Sequence, residues 1–195
     1  MDLDKLRKQE DRPEVGVVGT PQFLVEEILN QYPSDVFASS TTTFLDPCFG
    51  NGTFLIGVVR RLLKYGHSIE NINSRVFGVE LGRGSFNRTK MRFKKSGISL
   101  QLFNEDALKK VYNMEFDAVL GNVPFNLASA STNTIAGTSG NTTYYKKFID
   151  LANSVKKSGL FSSVNNSIPF SSNLFSFELA VFIFSSKLSG SCTNI

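Results

Sequence analysis

Residue types that bind metals or form disulfides are scarce in this chain of 195 residues, which has one histidine, two cysteines and no tryptophan. Cys48 and Cys192 show no metal-ligand spacing, and a single histidine excludes most metal sites. Cys48 lies within a glycine-containing motif, so a reduced, intracellular protein is the simpler interpretation. We therefore expect a protein that needs no metal.

Signals for export and for membrane insertion are also lacking. The chain begins Met1-Asp2-Leu3-Asp4-Lys5, without a basic and apolar leader, and no apolar run reaches the ~20 residues of a membrane-spanning helix. These absences predict no membrane contact and a cytoplasmic location. The formal net charge of +4 permits contact with nucleic acid but does not demonstrate it.

The clearest pattern is a strand, a tight glycine turn and a helix between residues 41 and 55. Thr41 to Leu45 predict a buried strand, and the residues from Thr53 to about Tyr65 predict a helix. Gly50 and Gly52 allow a sharp turn that brings backbone N–H groups close to a ligand. Open α/β sheets bind ligands above such strand ends. A glycine pair alone would favour a strand–helix turn without a ligand.

The residues around this turn carry a family resemblance. Asp46-Pro47-Cys48-Phe49-Gly50-Asn51-Gly52 resembles the D-P-x-x-G-x-G signature of S-adenosylmethionine-dependent DNA adenine-N6 methyltransferases. A second segment, Asn122-Val123-Pro124-Phe125, is similar to their catalytic N-P-P-Y/F motif. Two such motifs in this order are far more specific than either one alone. The resemblance implies an α/β fold, with a doubly wound Rossmann-like methyltransferase sheet flanked by helices, and S-adenosyl-L-methionine as cofactor.

A predicted helix begins at Thr20 and Pro21, with the threonine as N-cap and the proline at the first helical position. From the residues alone, an ordinary capped helix is the favoured interpretation. Many adenine methyltransferases with this motif order carry a T-P pair here, which helps hold the methionine end of the cofactor. The resemblance therefore implies a cofactor-binding role for both residues.

Acidic residues follow two further predicted strands. Glu80 closes the strand over 75–80, where an acid in nucleotide-like sites accepts hydrogen bonds from ribose hydroxyls; a solvated carboxylate is the alternative. Asp106 and Ala107 follow the strand over 98–103. At this position the family has an acid whose carboxylate accepts a hydrogen bond from the amino group of the cofactor's adenine. A helix N-cap is a compatible role for Asp106. The implied cofactor-binding residues are Thr20, Pro21, Asp46, Pro47, Cys48, Gly50, Gly52, Glu80, Asp106, Ala107 and Asn122.

The catalytic residues that the resemblance implies are Asn122, Val123, Pro124 and Phe125, at the end of the strand predicted over 116–122. The Asn122 side-chain oxygen and the Val123 carbonyl would accept the amino hydrogens of a flipped adenine, on which Phe125 would stack. Val123 departs from the N-P-P-F pattern and fits the N-x-P-Y/F form of ribosomal-RNA adenine dimethyltransferases, which makes RNA a rival substrate. Asp46-Pro47 argues against that rival, and a strand-ending turn is the alternative without chemistry.

The helix predicted over 83–97 is basic, and its charges lie on several sides. A solvated face is therefore favoured over a phosphate-binding face, although both interpretations remain open. After it the sequence predicts a polar loop over 127–143, an amphipathic helix over 144–157 and strands over 160–164 and 177–184. A polar connection is expected over 67–74.

The length predicts one domain over residues 1–195, and the resemblance implies that it is a methyltransferase catalytic domain. We expect a lead-in at 1–15, a core at 16–165 and an irregular or truncated tail at 166–195. We expect truncated C-terminal strands and no target-recognition domain. DNA is then the partner, together with a separate recognition subunit or a missing C-terminal region. The alternatives are an RNA adenine methyltransferase, a protein-glutamine methyltransferase, and a non-catalytic cofactor-binding fragment or subunit.

Overall fold

Six strands form one sheet in the computed structural model, which describes residues 20–123, 142–157, 161–165 and 181–185, and only the backbone of 142–145, 161–165 and 181–185. The helices are α1 (Gln22–Leu29), α2 (Ser34–Ala38), α3 (Thr53–Lys64), α4 (Ile69–Arg75), α5 (Arg83–Lys95) and α6 (Thr142–Val155). The strands are β1 (Phe44–Asp46), β2 (Val76–Val79), β3 (Gln101–Phe103), β4 (Ala118–Asn122), β5 (Phe161–Asn165) and β6 (Val181–Ser185).

The strand order is β3-β2-β1-β4-β6-β5. The first four strands are parallel, and Leu45 in β1 lies between Phe77 in β2 and Val119 in β4. β6 pairs antiparallel with both β4 and β5. The α/β doubly wound sheet that the sequence predicted is thus confirmed.

Alternating side chains of the central strands enter two separate cores, as the period of two in a strand requires. Phe44, Val76 and Leu120 pack on one face against α1 to α5. Leu45 and Val119 pack on the other face, against α6 and the segment between β3 and β4. The apolar side of the amphipathic helix predicted over 144–157 faces this core, since Phe148, Ala152 and Val155 of α6 are buried there.

The strand order reverses between β1 and β4. From β1 the chain moves outward to β2 and β3, and then returns to place β4 on the opposite side of β1. At such a switch point the connections leave in opposite directions, so a crevice opens above the carboxyl ends of the two strands. Asp46 ends β1 and Asn122 ends β4, so both motifs meet at this crevice.

Several elements differ from the sequence-based expectations. The predicted polar connection contains α4, whose N-cap Ser68 accepts a hydrogen bond from the Asn71 amide at 3.1 Å. α4 offers only Ile72 as a buried apolar side chain, so it lacks the periodicity that predicts a helix. The lead-in at 1–15 lies outside the described residues, and so do residues 127–141 of the loop predicted over 127–143. The last two residues of that predicted loop, 142 and 143, belong to α6. Within the described ranges, no helix is long and apolar enough to cross a membrane.

Candidate functional site

The glycine turn after β1 requires glycine at two positions. Gly50 and Gly52 have φ angles of 50° and 75°, in the left-handed region that side chains disfavour. A Cβ on Gly52 would also lie 2.6 Å from Cγ2 of Thr89, which is closer than real Cβ contacts. Gly52 is the N-cap of α3, so the turn aims the amino end of this helix at the crevice.

Glu80 binds the turn from the end of β2. Its Oε2 accepts a hydrogen bond from the Gly50 amide at 2.8 Å, and its Oε1 accepts one from the Gly82 amide at 2.6 Å. The carboxylate therefore joins the glycine turn to the start of α5. Each carboxylate oxygen has a further lone pair for a ligand hydroxyl. Ribose binding by Glu80 stays a prediction.

Three side chains that the sequence analysis did not assign to this site support the arrangement. Asn104 Nδ2 donates to the carbonyls of Glu80 and Leu81, at 2.8 and 3.1 Å. Thr89 Oγ1 donates to the Gly50 carbonyl at 2.9 Å, and Arg92 Nη1 donates to the Asn51 carbonyl at 2.8 Å. Two of the three lie on α5 far along the chain, so local sequence carries no signal for their contacts.

Asp46 is buried, with 1% of its surface exposed, and its Oδ1 accepts a hydrogen bond from the Cys48 amide at 3.1 Å. Burial raises the pKa of Asp46 to about 8; the bond from Cys48 opposes this rise, and the negative charge of Glu80 adds to it. The carboxyl group also lies against β4, because a Cβ on Gly121 would be 2.8 Å from Asp46 Oδ1. The motif acid is thus a buried group held between two strands.

Asn122 is bonded to both upstream motifs. Its Nδ2 donates to Thr20 Oγ1 at 3.1 Å, and its backbone carbonyl accepts a bond from the Cys48 thiol at 3.3 Å. Burial raises the pKa of the Cys48 thiol, and the charges of Asp46 and Glu80 raise it further, so the thiol stays protonated and can donate.

The expected N-cap role of Thr20 is wrong. α1 begins at Gln22 with Pro21 at the N-cap position, and no side-chain cap bond is present there. The Thr20 hydroxyl binds Asn122 instead, because β4 ends beside the start of α1. The T-P pair therefore lies in the same site as Asn122.

The remaining predicted residues are placed less centrally. Asp106 Oδ1 accepts a bond from the Leu108 amide at 3.0 Å, and Asp106 also pairs with Lys109 at 3.5 Å. It forms a turn beyond β3 rather than the predicted helix N-cap, while Ala107 is buried in the second core. Val123 is buried in that core too. Pro124 and Phe125 lie outside the described residues.

Similar folds occur in solved methyltransferase structures. A protein from Listeria monocytogenes, assigned as a class I S-adenosylmethionine-dependent methyltransferase, superimposes with a TM-score of 0.61 at 15% identity, over 97% of this chain and 67% of that chain. A protein from Pyrococcus horikoshii, assigned as an RNA methyltransferase, gives 0.54 at 17% identity, over 86% of this chain and 74% of its own. The fold is therefore that of the Rossmann-like methyltransferases.

The chain belongs to the N-6 DNA Methylase family, whose family model matches residues 5–158. The methyltransferase subunit of a type I restriction-modification system from Streptococcus thermophilus superimposes with a TM-score of 0.50 at 20% identity, over 78% of this chain. This chain spans 35% of the length of that subunit. None of the curated proteins matches the chain in sequence.

Proposed function

We propose that this protein transfers a methyl group from S-adenosyl-L-methionine to the exocyclic amino group of adenine in DNA. The observation that carries the proposal is the carboxamide of Asn122 at the end of β4, beside the glycine turn of β1. Its nitrogen donates to Thr20, so its oxygen is the end that remains to accept a hydrogen bond. Membership in the N-6 DNA Methylase family supports the same reaction.

The chemistry needs acceptors more than it needs an acid or a metal. The adenine amino nitrogen is a poor nucleophile because its lone pair is delocalised into the ring. Acceptors at Asn122 Oδ1 and the Val123 carbonyl would each bind one amino hydrogen, which favours a tetrahedral nitrogen and stabilises its developing positive charge. Phe125 would stack on the base, which has to leave the duplex to be reached. Close placement of the amine and the methyl group supplies further acceleration.

S-adenosyl-L-methionine would bind in the crevice above β1, β2 and β4, with the glycine turn beneath it. Glu80 would accept hydrogen bonds from its ribose hydroxyls, and Asp106 and Ala107 would border its adenine. Family resemblance assigns its methionine end to Thr20 and Pro21. Asp46 lies beneath this crevice as a buried group whose raised pKa, about 8, keeps its carboxyl largely protonated at neutral pH.

Target recognition and the rest of the assembly belong to this proposal too. Residues 16–165 form the catalytic core of one methyltransferase domain, and another subunit or another part of the protein selects the DNA sequence. A role in restriction-modification is the setting that the S. thermophilus subunit suggests, and we extend it to this chain as a proposal.

RNA adenine is the second candidate substrate. The observation that favours it is Val123, which replaces the first proline of the DNA motif by an aliphatic residue. Since the proposed acceptor at this position is a backbone carbonyl, the replacement does not remove the chemistry. A protein-glutamine substrate ranks behind these two candidates, because the T-P pair at Thr20 and Pro21 favours the DNA group. An inactive cofactor-binding subunit also ranks behind them, because Asn122 ends β4 within a continuous six-stranded sheet, at the switch point.

The test is transfer of labelled methyl from S-adenosylmethionine to unmethylated duplex DNA, with single-stranded DNA, RNA and the Asn122→Ala protein in parallel. Cofactor binding by both proteins is measured by calorimetry. Label on DNA adenine that disappears with Asn122→Ala supports the proposal. Label on RNA alone moves the protein to the second candidate. No transfer despite cofactor binding overturns the catalytic assignment for this chain acting by itself.

A further inference from the structure

The hydrogen bond between Asn122 and Thr20 has a direction that matters for the reaction. A carboxamide has an acceptor at one end and a donor at the other, and the two ends exchange places on a half-turn about the Cβ–Cγ bond. Here Nδ2 points to Thr20 Oγ1 at 3.1 Å, so Oδ1 points away from Thr20. The reverse orientation would present two N–H groups to an amine that is itself a donor.

Thr20 can hold this orientation only if it is itself held in place, and the packing of α1 provides that. Val25, Ile28 and Leu29 of α1 are fully buried against α3. The contact is close, because a Cβ on Gly57 would lie 2.7 Å from Leu29 Cδ1. Beyond the helix, the Tyr32 hydroxyl donates to the Val119 carbonyl at 3.2 Å. The segment 20–32 is therefore bonded to β4 at both of its ends.

We propose that Thr20 is a positioning residue for methyl transfer, which orients the Asn122 carboxamide so that its oxygen faces the substrate amine. This inference rests on the proposed function of Asn122 and extends it to a second residue. It differs from the cofactor-holding role implied by family resemblance, since Thr20 acts through Asn122 and not through the bound cofactor. The two roles predict different kinetics.

The size of the effect follows from the bond that is lost. Removing the hydroxyl frees the carboxamide to turn, and a single net hydrogen bond corresponds to about tenfold in an equilibrium or a rate. If Thr20 orients Asn122, its removal lowers the maximal rate, because a carboxamide that turns its N–H groups toward the substrate amine cannot stabilise the transition state. If Thr20 holds the cofactor, the loss falls on cofactor affinity and saturating cofactor restores the rate.

The experiment compares Thr20→Val, Thr20→Ser and wild type under single-turnover conditions at saturating DNA. Valine has the shape of threonine but no hydroxyl, and serine keeps the hydroxyl. We expect Thr20→Val to lower the maximal rate about tenfold while the Kd for S-adenosylmethionine, from calorimetry, changes less than about twofold. Thr20→Ser restores most of the rate. Thr41→Val, at an exposed threonine outside the site, is the matched control and keeps wild-type kinetics.

Each outcome bears on a different claim. A higher Kd with an unchanged maximal rate in Thr20→Val overturns the positioning role and assigns Thr20 to the cofactor. Failure of Thr20→Ser to restore the rate, in a protein whose thermal unfolding matches wild type, overturns it as well. Absence of transfer by wild type on any nucleic acid refutes the proposed function instead. In that case, equal Kd values for wild type and Thr20→Val still contradict a cofactor role for Thr20.

Discussion

The buried carboxyl group of Asp46 gives stability an unusual dependence on pH. Its pKa is about 8 in the folded protein and near 3.8 for an ordinary aspartate. Between these values the folded state keeps a proton that the unfolded state has lost, so stability falls as pH rises toward 8 and then levels off. The group thus opposes folding at neutral pH and contributes no penalty near pH 4.

We predict that Asp46→Asn removes this decline. Relative to wild type, the variant should gain up to about 1.4 kcal/mol per pH unit between pH 5 and pH 8, because asparagine does not titrate and can still accept the Cys48 amide. Urea unfolding of both proteins at pH 5, 6.5 and 8 measures the difference in their free energies of unfolding. The other titratable groups are the same in both proteins, so their contributions cancel in this difference. Parallel stability profiles for the two proteins would show that Asp46 is ionised in the folded state throughout.

At the same scale, sequence patterns identified several residues of the site but not what they contact. Asp46, Gly50, Glu80 and Asn122 were all singled out from motif positions, and the structure brings them to one crevice. The Thr20 contact was not predictable, because a threonine before a proline has the local signature of an N-cap. Its actual partner is 102 residues away in the chain.

Among the helices, α1 is joined at its last turn to a side chain of α3. The Glu26 and Leu29 carbonyls there accept backbone bonds from the Asn30 and Tyr32 amides, at 2.9 and 3.3 Å. Arg61 adds to these bonds: Nη1 donates to the Leu29 carbonyl at 3.3 Å, and Nη2 donates to the Glu26 carbonyl at 3.0 Å and the Glu26 carboxylate at 2.9 Å. The guanidinium also lies 5.2 Å from the centre of the Phe37 ring.

We predict that Arg61→Ala destabilises the protein by roughly 1–3 kcal/mol, since several charge-assisted bonds are lost together. Arg61→Lys keeps the positive charge but not the planar guanidinium, so its free energy of unfolding should lie between those of wild type and Arg61→Ala. Lys64→Ala, at an exposed position in the last turn of the same helix, is the control and should stay within about 0.5 kcal/mol. Chemical denaturation at neutral pH gives all three values. Equal losses for Arg61→Ala and Lys64→Ala would contradict the role of Arg61 in capping α1.

At the amino ends of β1 and β4, Asp117 joins three segments of the chain. Its Oδ2 accepts bonds from the Thr43 amide at 2.9 Å, the Thr43 hydroxyl at 2.8 Å and Lys157 Nζ at 2.7 Å. Burial alone would raise the pKa of Asp117, but the bonds from Lys157 and Thr43 and the charge of Lys157 outweigh it and lower the pKa. The ionised carboxylate therefore stabilises the fold above the usual aspartate pKa, and this contribution is lost as pH falls below it.

We predict that Asp117→Asn costs roughly 1–3 kcal/mol at pH 7, where the ionised acceptor is lost. The difference from wild type should shrink as pH falls below about 4, because the unfolded chain then takes up a proton at Asp117 that the folded protein binds only at lower pH. Urea unfolding at pH 7, 4 and 3 follows this change. A double-mutant cycle with Lys157→Gln separates the ion pair from the Thr43 bonds. A difference that stays constant with pH would contradict the depressed pKa.

The elements that could be predicted are those with strong periodicity or with turn chemistry. α3, α5, α6 and the four parallel strands carry apolar patterns or glycine turns at their ends, and the sequence placed each within a few residues. α4 could not be found this way, because its interactions are polar and reach distant segments: Arg75 Nη1 donates to the Thr42 carbonyl at 2.8 Å and Asn71 Nδ2 donates to the Ser40 carbonyl at 3.0 Å.

For the whole molecule, motif order predicted the doubly wound sheet but not the strand order beyond β4. A glycine turn after the first strand and an Asn-x-Pro segment after the fourth fix the positions of β1 and β4 relative to the crevice. β6 lies between β4 and β5, and it pairs with a strand far away in the chain. Even the nearest paired residues of β4 and β6, Asn122 and Val181, are 59 residues apart. Local sequence carries no signal for such a choice.

Charge is distributed unevenly over the molecule, and α5 is its most basic element. This helix has six basic residues and no acidic one. The structure divides them into two groups. Arg88 donates to the Ser85 hydroxyl and Arg92 to the Asn51 carbonyl. The other four side chains are exposed: Arg83, Lys90, Lys94 and Lys95. Arg83, Lys90 and Lys94 recur at helical spacing along one side of α5, and Lys95 lies about 100° further round. These exposed charges are accessible both to solvent and to the phosphates of the proposed DNA substrate.

We predict that Lys94→Gln/Lys95→Gln weakens binding to duplex DNA and makes its salt dependence shallower by about 1–2 in the slope of log K against log salt. Lys146→Gln/Lys147→Gln is the matched control, because these adjacent lysines are exposed on α6, across the sheet from α5. Each double substitution removes two positive charges. A difference in DNA affinity between the two variants therefore reports a local contact, because long-range attraction is weakened equally in both. Fluorescence anisotropy from 50 to 200 mM salt measures both. Equal losses would assign the effect to net charge, and α5 would then be a solvated face alone.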